Sequence, residues 1–185
     1  MNVLTEIAFF LIDTLFTLFI ALFMIRMLLG LSRADFYNPF SQFIVTATNP
    51  LLKPLRRVVP PVGRIDTAAV VIMVALKLLQ LTLLLVVQGK TPELMWLAGT
   101  TIVQLLSMLI YVYMFSIIIE AVLTWINPTA FYDRQNPLAS ILHSINTPLL
   151  HPLSRIVPRI GMIDITPLVA ILILNILLIV IRAFG

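Results

Sequence analysis

Long apolar runs alternate with shorter, more polar stretches along the chain. Four runs have the roughly 20 apolar residues that a helix needs to cross a bilayer: Ile7 to Leu29, Thr67 to Val87, Leu94 to Ile126 and Ile165 to Phe184. The third run is longer than one crossing requires, so we expect its helix to tilt or to project from the bilayer at one end. The pattern predicts an all-α membrane protein with four transmembrane helices.

Composition excludes a soluble globular protein. Of the 185 residues, 61% are hydrophobic and 11% are charged, and the mean hydropathy is +1.09. A soluble domain of this size carries about a quarter charged residues and cannot bury so many apolar side chains. The chain has no cysteine, which excludes disulfides and thiolate metal sites.

Basic residues concentrate in the two segments that follow the first and third runs. These segments hold eight of the 12 Lys and Arg residues: Arg33, Lys53, Arg56, Arg57, Arg64, Arg134, Arg155 and Arg159. With four crossings, both segments lie on the same side of the membrane, and the positive-inside rule places that side in the cytoplasm. We therefore expect both chain termini on the opposite side.

The same segments belong to an internal repeat. Shifting the chain by 98 residues places Asn38-Pro39 on Asn136-Pro137, and it also superimposes two later motifs, Pro-Leu-Leu-x-Pro-Leu-x-Arg and Gly-x-x-Asp. Two crossings in each copy make the copies parallel, related by an axis along the membrane normal. We predict two repeats, residues 1–93 and 94–185, each a helix-loop-helix unit with two transmembrane helices.

These motifs, present in two copies that cover nearly the whole chain, resemble those of the YggT family of small bacterial inner-membrane proteins. The resemblance implies a location in the bacterial inner membrane, which would put both termini in the periplasm. It also implies a link to osmotic tolerance, and plastid and cyanobacterial relatives linked to cofactor assembly or nucleoid organisation. It assigns no chemistry to particular residues.

Each repeat predicts a short amphipathic helix after its first crossing. Asn38 and Asn136 suit an N-cap, because a proline follows each at the first helical position. An apolar stripe follows in each copy: Phe40, Phe43, Ile44 and Ala47, then Leu138, Ile141, Leu142 and Ile145. We expect Pro50 and Pro148 to end these helices. Such helices lie flat at the membrane interface or, alternatively, re-enter the membrane with the stripe packed between other helices.

Basic side chains follow each amphipathic helix at the expected depth of the lipid headgroups: Lys53, Arg56, Arg57, Arg155 and Arg159. They favour binding to anionic lipid or to an acidic partner, at about 1 kcal/mol per cation, although positive-inside anchoring without a ligand explains them equally. Nucleic acid is not an expected partner, because aromatic stacking residues are not interleaved with the cations.

Two aspartates stand at equivalent positions just before predicted membrane helices. Asp66 and Asp164 each follow a glycine by three residues. Paired carboxylates can do acid-base chemistry, but a position at the start of a helix is sufficient reason for an aspartate. We therefore interpret both as helix caps.

Four ionisable residues lie deeper in the predicted crossings, where a charge is costly unless it is paired: Asp13, Arg26, Lys77 and Glu120. Because Arg26 aligns with Glu120 at a shift of 94 residues, we predict an ion pair that docks the two repeats. Lys77, which aligns with Asn175, is expected to neutralise Asp13 or Glu6.

Two other interpretations of these polar positions are open. Arg26 could instead snorkel to the interface. The remaining polar positions could form a proton or cation relay: Asp13, Lys77, Gln80, Gln104 and Asn175.

No pattern indicates a catalytic, cofactor or metal site. The only histidines, His143 and His151, have no acidic or cysteine cluster beside them, so we expect neither metal nor haem. We favour a non-enzymatic accessory or scaffold protein that binds membrane lipid, other membrane proteins or a second copy of itself through the Pro-rich basic segments. The alternative is a small ion channel or transporter that uses the intramembrane charges and, since four helices make a narrow bundle, assembles as an oligomer.

Overall fold

The computed structural model describes residues 2–126, 136–158 and 164–183. In these residues the chain forms helices and no β-strand. The helices are α1 Val3–Leu31, α2 Pro39–Leu55, α3 Thr67–Val87, α4 Leu94–Ile126, α5 Pro137–Leu153 and α6 Thr166–Arg182. The predicted all-helical class is therefore correct.

Three helices, α1, α3 and α4, are long and apolar enough to cross a membrane. The 33 residues of α4 extend about 50 Å, well beyond the roughly 30 Å of bilayer hydrocarbon, as its sequence indicates. The last helix, α6, is equally apolar but has 17 residues, or about 25 Å.

Apolar packing pairs the helices in the same way in each half of the chain. In the first half, Phe23 of α1 and Leu52 of α2 pack on the small side chains of Ala68 and Ala69 at the start of α3. In the second half, α4 packs along α6, where Ala170 again permits a close approach. A third cluster joins the halves, with Leu28, Leu29, Ala34 and Ile44 of the first half against Ile141 and Ile145 of α5.

The ends of α2 and α5 differ from the expectation that Pro50 and Pro148 terminate them. Both helices continue for five more residues, and α2 passes through Pro50 and Pro54. A proline inside a helix leaves the carbonyl four residues earlier without its usual donor. In α2 these carbonyls belong to Thr46 and Pro50, which are exposed together with Pro54. The lost bonds therefore lie away from the packed core, which lowers their cost.

The predicted apolar stripes face different surroundings in the two halves. In α5, Ile141, Leu142 and Ile145 are buried. In α2, the side packed on the bundle holds Ser41, Ile44, Thr48 and Leu52 instead. Phe40 and Phe43 are 50% and 64% exposed, so two of the four residues of the α2 stripe point away from the protein.

The four predicted capping residues lie at helix starts. Asn38 and Asn136 accept hydrogen bonds from the backbone N–H groups of Phe40 and Ala139, at 2.9 and 3.3 Å. Asp66 accepts from the N–H of Ala69, and Asp164, one residue before the N-cap of α6, accepts from that of Thr166. Asn38 also donates to the carbonyl of Pro137 at 2.6 Å, which joins the starts of α2 and α5 across the two halves.

Candidate functional site

Arg26 ties α1 to α2. One of its guanidinium nitrogens donates to the carbonyl of Val45 at 2.9 Å and to the hydroxyl of Thr48 at 2.6 Å. The residue is only 6% exposed, so it does not snorkel to the surface. The Thr48 hydroxyl in turn donates to the carbonyl of Ile44 at 2.6 Å, which leaves its oxygen oriented to accept from Arg26.

Glu120 makes the corresponding link between α4 and α5. Its carboxylate accepts from the side-chain amide of Asn146 at 2.5 Å and lies 3.1 Å from Nδ1 of His143. Asn146 also accepts from the hydroxyl of Ser116 at 2.5 Å. Glu120 is 8% exposed and Asn146 is fully buried, so the bonds of Asn146 form in the packed interior, whereas the His143 side chain is 64% exposed.

The two links use equivalent positions with opposite polarity. A shift of 94 residues relates Arg26 to Glu120, and a shift of 98 relates Val45 to His143 and Thr48 to Asn146. In the first half a cation donates to two oxygens of α2, whereas in the second half a carboxylate contacts two nitrogen-bearing side chains of α5. We call these two groups the anchor sites.

The expected ion pair between Arg26 and Glu120 is therefore wrong. Among the described residues, the ion pairs are Arg56–Asp66 and His143–Glu120. Each charge is used inside its own half, because its hydrogen-bond partners belong to the helix that follows it, α2 for Arg26 and α5 for Glu120. One feature of the sequence indicated this arrangement. Where Arg26 is replaced by Glu120 in the second half, Thr48 is replaced by Asn146, whose amide can donate to a carboxylate.

A second polar group lies between α1 and α3, in which Lys77 and Gln80 are buried and Asp13 and Thr17 are exposed. Lys77 donates to the side-chain oxygen of Gln80 at 2.9 Å, and the Gln80 amide donates to Asp13 at 2.9 Å and to Thr17 at 3.1 Å. Gln80 therefore bridges the lysine and the aspartate, which were expected to pair directly. The role of Thr17 was missed, since a threonine in an apolar helix carries no charge signal.

Asn175 does not join this group. It is exposed on α6 and donates to the carbonyl of Ile171 in its own helix. The side chain of Asn175 therefore does not continue the relay predicted through Asp13, Lys77, Gln80, Gln104 and Asn175.

The described basic residues of the predicted headgroup set lie at the ends of α2 and α5. Lys53, Arg57 and Arg155 are exposed. Arg56 pairs with Asp66, which ties the end of α2 to the start of α3, although its side chain keeps 41% exposure. Arg159 lies outside the described residues. We call Lys53, Arg56, Arg57 and Arg155 the basic surface.

Comparisons with known proteins identify relatives over nearly the whole chain. The sequence profile of the CCB3/YggT family matches residues 5–87 and 99–184. An uncharacterized protein of Pseudomonas aeruginosa, PA0392, is 36% identical over 94% of this chain and 87% of its own length. The uncharacterized protein YggT of Escherichia coli K12 is 32% identical over 96% of this chain and 88% of its own.

An uncharacterized protein encoded in the proC 3′ region of Vibrio alginolyticus is 35% identical over 86% of this chain and 85% of its own. No solved structure matches the chain.

Proposed function

Because the chain belongs to the CCB3/YggT family, we propose that it is a non-enzymatic accessory protein of the bacterial inner membrane. In this proposal α1, α3, α4 and α6 cross the bilayer. The apolar composition of α6 and its packing along α4 support a fourth crossing, and its length of about 25 Å requires only a few flanking residues to span the hydrocarbon.

Two parallel repeats, residues 1–93 and 94–185, are part of the same proposal. The matched packing of the two halves and the equivalent anchor sites support it. Two crossings per repeat put α2 and α5 on one side of the membrane, and the positive-inside rule makes that side cytoplasmic and the termini periplasmic.

The observation that carries the function is the outer side of α2. Exposed Phe40 and Phe43 lie on the same helix as exposed Lys53, which is followed by exposed Arg57. At a bilayer surface, such apolar side chains insert among acyl chains while the cations meet anionic headgroups. We propose that the basic surface binds anionic lipid of the cytoplasmic leaflet. We propose further that the same surface binds other membrane proteins or a second copy of the chain. This binding would serve the assembly of a membrane complex or the response to osmotic stress.

Lipid selectivity tests this proposal. The purified protein is exchanged between nanodiscs of phosphatidylglycerol and of phosphatidylcholine, and the lipids that it retains are counted by native mass spectrometry. Replacing Lys53, Arg57 and Arg155 with Gln removes about 3 kcal/mol of attraction, so the preference for the anionic lipid falls by up to about 100-fold. The control Lys90→Gln removes an exposed cation at the other end of the predicted crossings. If the triple variant keeps the full preference for the anionic lipid, lipid binding by this surface is refuted, and positive-inside anchoring alone explains the cations.

A small channel or transporter is the second candidate, and the hydrogen-bonded Lys77–Gln80–Asp13 group inside the predicted crossings is the observation that favours it. A liposome flux assay separates the two. Ion flux through the reconstituted protein that is abolished by Asp13→Asn or Lys77→Met would overturn the accessory role. Crosslinking in native membranes then identifies the partner proteins, and we expect the triple variant to lose them.

A further inference from the structure

The two halves of the protein leave different helix faces uncovered. In the first half, α3 packs against α1, α2 and α4. In the second half, α6 packs against α4 and α5 but, among the described residues, does not approach α1, α2 or α3. The side of α3 that meets α4 therefore has an equivalent on α6 that no described part of the chain covers.

Four positions identify this uncovered side of α6. Lys77 of α3 lines one groove together with Gln104 and Ser107 of α4, so its side of α3 faces α4. The shift of 98 residues relates Lys77 to Asn175, and it relates the half-buried or buried Val70, Val74 and Leu81 on the same side of α3 to three further residues of α6. All four equivalents in α6 are exposed, and we call them the α6 edge: Leu168, Leu172, Asn175 and Ile179. Their spacing of four, three and four residues aligns them along one side of the helix.

A matching uncovered face lies on α1. At the junction of the halves, three side chains of α4 pack against the apolar cluster formed by α1, α2 and α3: Leu105, Leu109 and Val112. The shift of 94 residues relates them to three residues of α1 that are 49–63% exposed, and we call these the α1 edge: Leu11, Leu15 and Leu18. Each end of the chain thus presents one side of a junction whose two sides meet inside the chain, between α3 and α4.

Polar residues beside the two edges complement each other. On α6, Arg182 follows Asn175 by seven residues. On α1, Asp13 follows Glu6 by seven residues. All four side chains are exposed. Because α1 and α6 cross the membrane in opposite directions, the equal spacing lets two pairs form at once, the arginine with the outer carboxylate and the amide with the inner one.

Asn175 gives the physical reason for a protein neighbour. It lies about halfway along α6, and its amide donates to the carbonyl of Ile171 in its own helix. Its second N–H and its oxygen have no partner among the described residues, and the hydrocarbon of a bilayer offers none. Polar side chains in membrane helices are therefore usually found facing other helices.

We propose that copies of this chain join head to tail, with the α6 edge of one copy packed on the α1 edge of the next, as α3 packs on α4 within the chain. Such a contact joins unlike faces, so it builds a closed ring or an open row of copies. The inference rests on the crossing of the membrane by α6, which is part of the proposed function. It uses faces that are distinct from the basic surface.

Disulfide crosslinking in isolated membranes tests this contact, because the chain has no cysteine of its own. Leu15→Cys and Leu172→Cys are produced in the same cells with different affinity tags and are then oxidised with copper phenanthroline. We expect a dimer that carries both tags, and at least tenfold less dimer from either variant alone, because unlike edges meet. Ile173→Cys is the matched control for Leu172→Cys, since it is exposed at nearly the same depth but lies about 100° around the helix. We expect it to give at least tenfold less mixed dimer.

The polar pairs are tested by adding Asn175→Leu to the Leu172→Cys chain. Because Asn175 bonds only within its own helix in the described protomer, its replacement leaves the packing of the protomer intact. We expect the initial rate of mixed-dimer formation to fall about threefold to twentyfold, the range found for hydrogen bonds between membrane helices. An unchanged rate overturns the proposal. It is also overturned if no mixed dimer forms, if Leu172→Cys alone dimerises equally well through a symmetric contact, or if Ile173→Cys matches Leu172→Cys.

The crossing by α6 is checked separately, by labelling Ala183→Cys with a membrane-impermeant maleimide from the periplasmic side. Labelling without a mixed dimer refutes the head-to-tail contact alone, and lipid or another protein then covers the two edges. If Ala183→Cys is reached only from the cytoplasmic side, the fourth crossing of the proposed function and the head-to-tail contact are refuted together.

Discussion

We expect each anchor site to stabilise the packing of its own half of the protein. Two double-mutant cycles measure the coupling free energies that test this expectation. The first cycle combines Arg26→Met with Thr48→Val, which removes a guanidinium–hydroxyl bond of 2.6 Å between buried residues. Hydrogen bonds to charged groups contribute about 1.5–3 kcal/mol in general. Coupling measured between helices in membranes averages about 0.6 kcal/mol and reaches about 1.7. For a short, buried and charged bond we expect coupling near the upper end, at about 1–1.7 kcal/mol.

The second cycle combines Arg26→Met with Glu120→Gln and tests the ion pair that the sequence suggested. The structure places these side chains in separate anchor sites without a shared partner. Mutations at independent sites add within about 0.5 kcal/mol, so the coupling free energy is expected to stay below that value.

The assay for both cycles is equilibrium unfolding in mixed micelles with increasing dodecyl sulfate, followed by circular dichroism. Gln88→Leu, at the end of α3, serves as a surface control. A coupling above about 1 kcal/mol between positions 26 and 120, together with none between 26 and 48, would refute the anchor sites and restore the ion pair. Charge exchange gives a second check: Arg26→Glu is not expected to rescue Glu120→Arg, because neither variant meets suitable partners on its own amphipathic helix.

Three further predictions use the same unfolding assay. Gln80→Leu leaves Lys77 and Asp13 without their bridge and lowers the free energy of unfolding by about 2–3 kcal/mol. A decrease smaller than about 0.5 kcal/mol would contradict the bridge. Asp66→Ala lowers the free energy of unfolding by about 1 kcal/mol, because α3 loses its N-cap. Asp66→Asn keeps a capping oxygen and lowers it by less. Equal decreases for the two variants would mean that the ion pair with Arg56 contributes more than the cap. Pro50→Ala leaves the helix content unchanged, because α2 already continues through that residue, and a measurable gain in helix content would show that Pro50 ends it.

Hydropathy predicted α3 and α4 closely, because polar residues together with glycine or proline interrupt the apolar sequence on either side of each run. The bounds of α3 and α4 are those of the predicted runs. The ends of α2 and α5 were predicted less well, because the cost of a proline depends on which side of the helix it occupies. The spacing of Pro50 and Pro54 by one turn was the available hint that both lie on one side.

The anchor sites show why side-chain chemistry was harder to predict than helices. Arg26 and Glu120 were visible as charges in apolar helices, but one partner of Arg26 is the backbone carbonyl of Val45, which residue type does not reveal.

Opposite polarity at the two anchor sites also disfavours an exchange of α2 and α5 between the halves. Two similar repeats in one chain could dock α2 against α4 and α5 against α1, since the buried positions of the two helices are largely equivalent. In that arrangement Glu120 would face the carbonyl of Val45, an acceptor that it cannot bond, and would exchange the amide of Asn146 and the imidazole of His143 for the single hydroxyl of Thr48. The loss of one donor to a buried carboxylate costs about 1–3 kcal/mol, which favours the observed arrangement. The sign change between equivalent positions therefore selects one arrangement of the halves, without any direct contact between the two charges.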